Sequence, residues 1–351
     1  MHPFRKLLLI SLGRESSFEK DPSPDMWMHL FKMAKCQTLL GVLNTGIHRL
    51  PDSQLPPEHI LADWDRLTGK IAEIYARHER HVAELETLFE SKGLHGCVLK
   101  GTGLARLYPN PERRQCGDID VWIPGSRRAV LDAFSDEFDI HGVIYQECKV
   151  DIFEDTDVEV HFHPTKMYNP FCNARLQRWL DRHSPVRNDT PLTYPDTEFN
   201  VIFCMAHMYR HYLAGGLGLR QMMDYYYVLR ELPAVRRKPA MHTLKRLGMG
   251  HFTAATMLVL QYNFGLEDEY LLCKPDRKRG PKLINEMIQM GNFGVLDTRN
   301  HEKEGETSFA RFRRKNHRIF SYLRLYPREV LWAPFSRLSQ YVWRLFNGYI
   351  K

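Results

Sequence analysis

Apolar positions in the first ninety residues recur at helical spacing. Between residues 24 and 50, Trp27, Leu30, Phe31, Ala34, Leu39 and Leu40 follow a helical repeat. The run "HILADWDRLTGKIAEIYARHERHVAELETLFESKG" predicts one long, charged helix over 58–92, stopped at Gly93. The texture then changes. "GCVLKG" is a short apolar run ending in glycine, which predicts a buried strand entering a tight turn. "TGLARLYP" predicts a short helix stopped by Pro109, "GDIDVWIP" a strand stopped by Pro124, and "SRRAVLDAFSDEF" a helix. "DVEVHFHP" alternates apolar and polar positions and predicts another strand, stopped by Pro164. After a polar, proline-containing stretch at 184–197, helices return in "FNVIFCMAHMYRHYLAG", "LRQMMDYYYVLREL" and "MHTLKRLGMGHFTAATMLVLQYNFG". "GNFGVLDTRNHEKEGE" reads as a loop, and 308–346 as helical again. The expected fold class is α+β: a small mixed β-sheet core at 93–183, flanked by an N-terminal helical region at 1–92 and a C-terminal one at 184–351.

Composition adds little to the fold but something to the chemistry. The chain has 351 residues, 43% hydrophobic and 26% charged, an ordinary globular balance. Its net charge is +7, which favours anionic partners. That charge is concentrated: Arg311 to Lys351 carries ten Lys/Arg against one acid, Glu329, so the preceding residues sum to −2. Seven scattered cysteines without a CxxC pair argue for free thiols in a reducing compartment, and against a disulfide scaffold or a thiolate zinc site. "LLLISL" near the N-terminus is too short to span a membrane. These features predict a soluble, cytoplasmic protein.

One feature conflicts with a simple core strand. In "RRQCGDIDVWIP" two aspartates sit one residue apart. Side chains alternate faces along a strand, so Ile119, Val121 and Ile123 share one face and Asp118, Asp120 and Trp122 the other. The two carboxylates then lie about 7 Å apart, which is unfavourable unless a cation lies between them. Mg²⁺ meets that need, since it takes one or two carboxylates and completes its shell with substrate phosphates. Solvent exposure on an edge strand is the plain alternative. Two neighbours argue against it. Glu159 lies on another predicted strand, with His161 and His163 on its own face, and "LKGTG" at 99–103 turns from a strand into a helix. Backbone N–H groups at such a turn suit a phosphate, and Lys100 and Thr102 could add a charge and a hydroxyl.

This order of elements resembles the polymerase-β-like nucleotidyltransferase superfamily. "VLKGTGLARLYPNPERRQCGDIDVWI" followed by "VEVHFHP" is similar to its large bacterial family of uncharacterised nucleotidyltransferases, through Leu99, Lys100, Gly101, Arg114, Gly117, Asp118, Asp120, Glu159 and His161. The likeness runs over roughly 25–335 and is most specific at the G-D-h-D block, where h is hydrophobic. It departs at the turn, where Lys100–Gly101–Thr102 replaces Gly-Gly or Gly-Ser. The resemblance implies that Asp118, Asp120 and Glu159 hold two Mg²⁺ (or Mn²⁺) ions. These would align an NTP with an acceptor that attacks its α-phosphate. Glu159 would help deprotonate the acceptor, Lys100 and Arg114 would neutralise phosphate charge, and Gly101, Thr102 and Gly117 would shape the nucleotide side. The plain alternatives are a solvated surface role for Lys100 and a structural ion pair with a nearby acid for Arg114. The acceptor could be a protein, a sugar, a small molecule or RNA. Other readings are a non-catalytic nucleotide-binding or scaffold protein of the same fold, and a metal-dependent phosphohydrolase with His161, His163, His207 and His211 as ligands. In the favoured reading those histidines support the site from behind or touch substrate. Arg220 and Asp224, four apart on a helix, read first as an ion pair within that helix, and second as a polar patch facing the cleft near the nucleotide. The basic, aromatic tail at 311–351 reads as a solvated helical layer, an RNA contact, or an anionic-surface contact that would make the protein peripheral to a membrane.

Overall fold

The computed structural model describes residues 3–297 and 306–349. Helices α1 (Pro3–Ser11), α2 (Pro24–Cys36), α3 (Leu40–Ile47) and α4 (Glu58–Lys92) lead into the sheet region. There follow β1 (Gly96–Val98), α5 (Thr102–Ala105), β2 (Ile119–Trp122), α6 (Arg127–Ser135), β3 (Ile140–His141), β4 (Glu147–Val150) and β5 (Val158–His161). Then come α7 (Pro170–Arg182), β6 (Leu192–Thr193), α8 (Thr197–Ala214), α9 (Leu219–Glu231), α10 (Ala234–Arg246) and α11 (Gly250–Phe264). The chain closes with α12 (Gly280–Met290), α13 (Ser308–Phe320), α14 (Pro327–Val330) and α15 (Ala333–Phe346). The α+β class and the long helix over 58–92 are as expected. Gly93 ends that helix in the left-handed region, φ +63°, where glycine carries no side-chain penalty.

The sheet has the order β3-β4-β5-β2-β1-β6. Its centre is the parallel pair β2–β5, with β1 antiparallel to β2 and β4 antiparallel to β5. Two pieces lie beyond the sequence reading. The short strands β3, at one edge, and β4, beside it, carry weak alternation, and β6 at Leu192–Thr193 falls in the segment assigned to the C-terminal helices. One sheet face carries Val98, Ile119, Val121, Ile123, Val158 and Val160, packed with α6 and with Val82, Leu85 and Phe89 of α4. The N-terminal half of α4, with Ile60, Trp64 and Ile71, joins a second and larger core. That core also draws on α1, α8, α9 and α11, so helices from both ends of the chain share one interior. The helical stretch read through 241–264 is two helices, broken at Gly248 with φ +82°.

Helix α8 covers the opposite face of the sheet. Asp196 caps it by accepting from the Phe199 amide, and Phe199 stacks on Trp122 at 6.0 Å between ring centroids. Trp122 is thus a packing residue on the carboxylate face and fixes the helix over the site. The basic tail is also part of the fold. Ile319, Tyr322, Tyr326, Val330 and Ala333 belong to the large core, and buried Arg318 pairs with Asp297 at 3.0 Å. Buried Glu329 accepts from the Tyr168 and Asn169 amides. The loop expected at 291–306 contains a short turn at Asn292–Gly294, and its 298–305 portion lies outside the described residues. All seven cysteines are free. Among the described residues, no helix is long and apolar enough to cross a membrane.

Candidate functional site

The parallel register places Asp120 directly opposite Glu159 and Trp122 opposite His161. On the other side of β5, Glu147 of β4 faces His161 and Lys149 faces Glu159. Opposed residues share a face, so three adjacent strands bring Asp120, Glu159, His161 and Glu147 together under α8. Asp118 lies just before β2 and faces the same cavity of about 320 Å³. Of the residues singled out from sequence, Lys100, Gly101, Arg114, Gly117, Asp118, Asp120, Glu159, His207 and His211 line this cavity. Thr102 is buried at the start of α5 and does not line it. His163 lies past the end of β5 and stacks on Tyr145, with ring centroids 4.9 Å apart.

Asp120 is the most tightly held of the carboxylates. Its Oδ1 accepts from His161 Nε2 at 2.7 Å and meets Lys100 Nζ at 2.8 Å. Burial alone would raise its carboxyl, but Lys100 and His161 outweigh that and hold it well below the usual range. Its neighbours move the other way. Asp118 is raised, first by the charge of Asp120 and then by burial. Glu159 is pushed up to about 7 by burial and by the charges of Asp120, Asp118 and Glu147. The carboxylates therefore repel one another in the absence of a cation, and Lys100 offsets only part of that charge.

Three of these groups could ligate one ion. Single ligand atoms of Asp120, Glu159 and His161 lie within 4.8 Å of one another, while Asp118 stands outside that trio. His161 Nε2 is already engaged with Asp120, and its Nδ1 lies 3.2 Å from Glu147 Oε2. The ring thus orients Asp120, and the oxygens left to a cation are carboxylates. Such an oxygen-rich donor set fits a hard divalent ion such as Mg²⁺ or Mn²⁺.

The four-histidine site does not form. His163 is turned to Tyr145, and among the described residues His207 and His211 join no metal-binding trio. Their rings are 4.3 Å apart on α8. Burial and the nearby Lys100 charge hold His207 well below its ordinary value and lower His211 to about 3, so both are neutral near pH 7.

Arg114 takes the structural ion pair, the alternative to a phosphate contact. It is 1% exposed, and its Nε and Nη2 donate to the two oxygens of Asp224 at 2.7 and 2.9 Å. Tyr108 donates its hydroxyl to the same carboxylate at 2.7 Å. Asp224 therefore binds across 110 residues, locking α9 to the segment before β2, and is not the intrahelical partner of Arg220. Arg220 faces the cavity, lies over Phe293 at 5.8 Å and meets no carboxylate oxygen within ion-pair distance among the described residues. Arg210, also on the cavity wall, donates to Gln146. The cavity is thus acidic on its strand side and basic on its α8–α9 side.

That division of charge suits a nucleotide with its metal, and the likeness to known proteins agrees. The family model for uncharacterised nucleotidyltransferases matches residues 23–265. The chain belongs to that family. No curated protein and no solved structure matches it. The family match supports a nucleotidyl-transfer role, and it covers the sheet and helices α8 and α9, which line the cavity.

Sequence reasoning does not reach Glu147 or Arg210 as parts of the nucleotidyltransferase cavity, and it ranks the cleft-facing role of Arg220 and Asp224 second. Arg210 was accessible: it follows His207 by three positions and so shares its helix face. Glu147 was not, because only the β4–β5 register brings it to His161. Gly101 is required by geometry. Its φ of +56° and ψ of −122° suit glycine alone, and a Cβ there would stand 3.2 Å from the Asp118 carbonyl oxygen. Gly101→Ala is expected to lower stability by about 1–3 kcal/mol in thermal or urea unfolding.

Proposed function

We propose that this protein transfers a nucleotidyl group from an NTP to an acceptor hydroxyl, using a divalent cation held by Asp118, Asp120 and Glu159. The observation that carries this reading is the two-sided cavity: repelling carboxylates on the strands face Arg210 and Arg220 on the helices. A divalent ion bound at the carboxylates would polarise the phosphate under attack and neutralise charge on the leaving pyrophosphate.

The chain's own residues do the rest. Lys100, two residues past β1, contacts Asp120, and would be available to a phosphate if that carboxylate held a cation. His161 keeps Asp120 oriented throughout. Arg220, with no carboxylate partner among the described residues, can take a phosphate oxygen, and Arg210 can leave Gln146 for the same purpose. Arg114 acts through Asp224, holding α9 and hence Arg220 in place. Glu159, with a carboxyl pushed up to about 7, is suited to accept a proton from the acceptor.

Cation binding tests the site itself. A raised Glu159 is protonated below about pH 7, and a proton there competes with a cation. The affinity for Mn²⁺ is therefore expected to rise between pH 6 and 8 by about tenfold. Titration followed by Mn²⁺ paramagnetic resonance reads this directly. In Glu159→Gln the pH dependence should flatten. An affinity independent of pH in the wild type would remove Glu159 from the ligand set.

A further inference from the structure

Helix α15 carries a second kind of surface. Phe335, Leu338, Val342, Leu345 and Phe346 are all exposed, Phe335 by 64% and Phe346 by 84%. At helical spacing they fall within an arc of about 100°. The opposite side of the helix faces the protein. Trp343 packs beside the sheet with Arg127 at 4.3 Å, and Gln340 accepts from Lys166. The apolar stripe is therefore the outer face of a docked helix. It is continued at its N-terminal end by exposed Leu331 and by Trp332, whose ring meets the exposed Phe171 edge-on.

The segment that carries this stripe has nearly one sign of charge. Between Thr307 and Tyr349 the only acid is Glu329, which is buried and bonded to backbone amides. Just before Leu331, Arg324 and Arg328 join Lys245 and Lys274 around a groove that has no carboxylate in its lining. None of these four cations forms an ion pair among the described residues. Cations beside an exposed amphipathic helix complement a surface that is anionic at its head groups and apolar beneath.

We propose that α15 and the neighbouring basic groove dock this protein on an anionic phospholipid bilayer, with the stripe of Phe335, Leu338, Val342, Leu345 and Phe346 in the acyl boundary and Arg324, Arg328, Lys245 and Lys274 on lipid phosphates. Two other occupants fit less well. A second copy packed through the same face would bring the same cations against these, with no carboxylate in the groove's lining to answer them. RNA would use the cations and aromatic rings but leaves Leu338, Val342 and Leu345 without a partner, since aliphatic side chains neither stack on bases nor bind phosphate.

The test uses the full chain, because the tail contributes Tyr322, Tyr326 and Val330 to the core and its deletion would unfold the protein. Wild type is floated with vesicles of phosphatidylglycerol mixed with phosphatidylcholine, and with vesicles of phosphatidylcholine alone. Binding is expected only with the anionic vesicles and should weaken as salt is raised. Leu338→Glu with Leu345→Glu should reduce the bound fraction by about tenfold or more while leaving the melting temperature unchanged, since both side chains are exposed. Arg324→Gln with Arg328→Gln should reduce it by a smaller factor. Failure of the wild type to float with anionic vesicles overturns the proposal. So does equal flotation of the double glutamate variant. A wild type that is dimeric in light scattering and becomes monomeric in that variant, without vesicle binding, would assign the stripe to a second copy.

Discussion

Asp120→Asn and Glu159→Gln are each expected to reduce nucleotidyl transfer by at least about 100-fold, yet to move stability in opposite directions. The difference follows from what each carboxylate meets. Asp120 is buried and bonded to both Lys100 and His161, which hold it below its ordinary value. A depressed carboxyl contributes stability that is fully present above its unfolded pKa and is lost as pH falls through the folded one. Near pH 8 that contribution is complete. Asn removes it and leaves Lys100 without its main partner, so the metal-free variant is expected to lose about 1–3 kcal/mol. Glu159 is the reverse case. Its carboxyl is raised to about 7, so ionising it in the folded protein is unfavourable, and stability falls as pH rises from its ordinary value through about 7. Gln removes that unfavourable charge and is expected to raise stability at pH 8 by about 2 kcal/mol in the metal-free protein. Unfolding in the presence of a chelator measures both. The contrast separates loss of chemistry from loss of fold, because Glu159→Gln should be inactive and more stable.

The second large effect lies behind the cavity. Arg114→Met is expected to lower stability by about 3–5 kcal/mol, since it strands Asp224 as a buried, unpaired charge. Adding Asp224→Leu removes that charge and should recover at least half of the loss, the remainder reflecting the Tyr108 hydroxyl left without its acceptor. If Arg114 acted instead as a phosphate ligand, the single variant would keep its melting temperature and raise KM for the NTP. The double-mutant cycle decides between these roles.

Much of this arrangement was legible in the sequence, and the reasons for the rest are physical. The alternation in "GDIDVWIP" assigns Ile119, Val121 and Ile123 to one face and the aspartates to the other, as the sheet bears out. Gly93, Pro124 and Gly215 mark element ends because each changes what the backbone can do. Lys100, Asp120 and Glu159 meet as their order along the chain suggests. What a single strand could not reveal was its neighbours. His161 reaches Asp120, and Glu147 reaches His161, through strand registers set by contacts 14 to 41 residues apart. Arg220 and Asp224 have the spacing of an ion pair, but a buried bidentate pairing with Arg114 wins over a solvated pair on a helix. The tail was read from its charge, whereas its buried aromatic positions tie it to the core.

The central claim is cation-dependent nucleotidyl transfer from this cavity. Its most direct test supplies each of the four NTPs, labelled at the α-phosphate, with Mg²⁺ and a cell extract as the source of acceptor, and follows label transfer together with pyrophosphate release. The wild type should transfer label from at least one NTP only when Mg²⁺ or Mn²⁺ is present, and Asp120→Asn should transfer none. A wild type that transfers label from no NTP, or an Asp120→Asn variant as active as the wild type, would contradict the account.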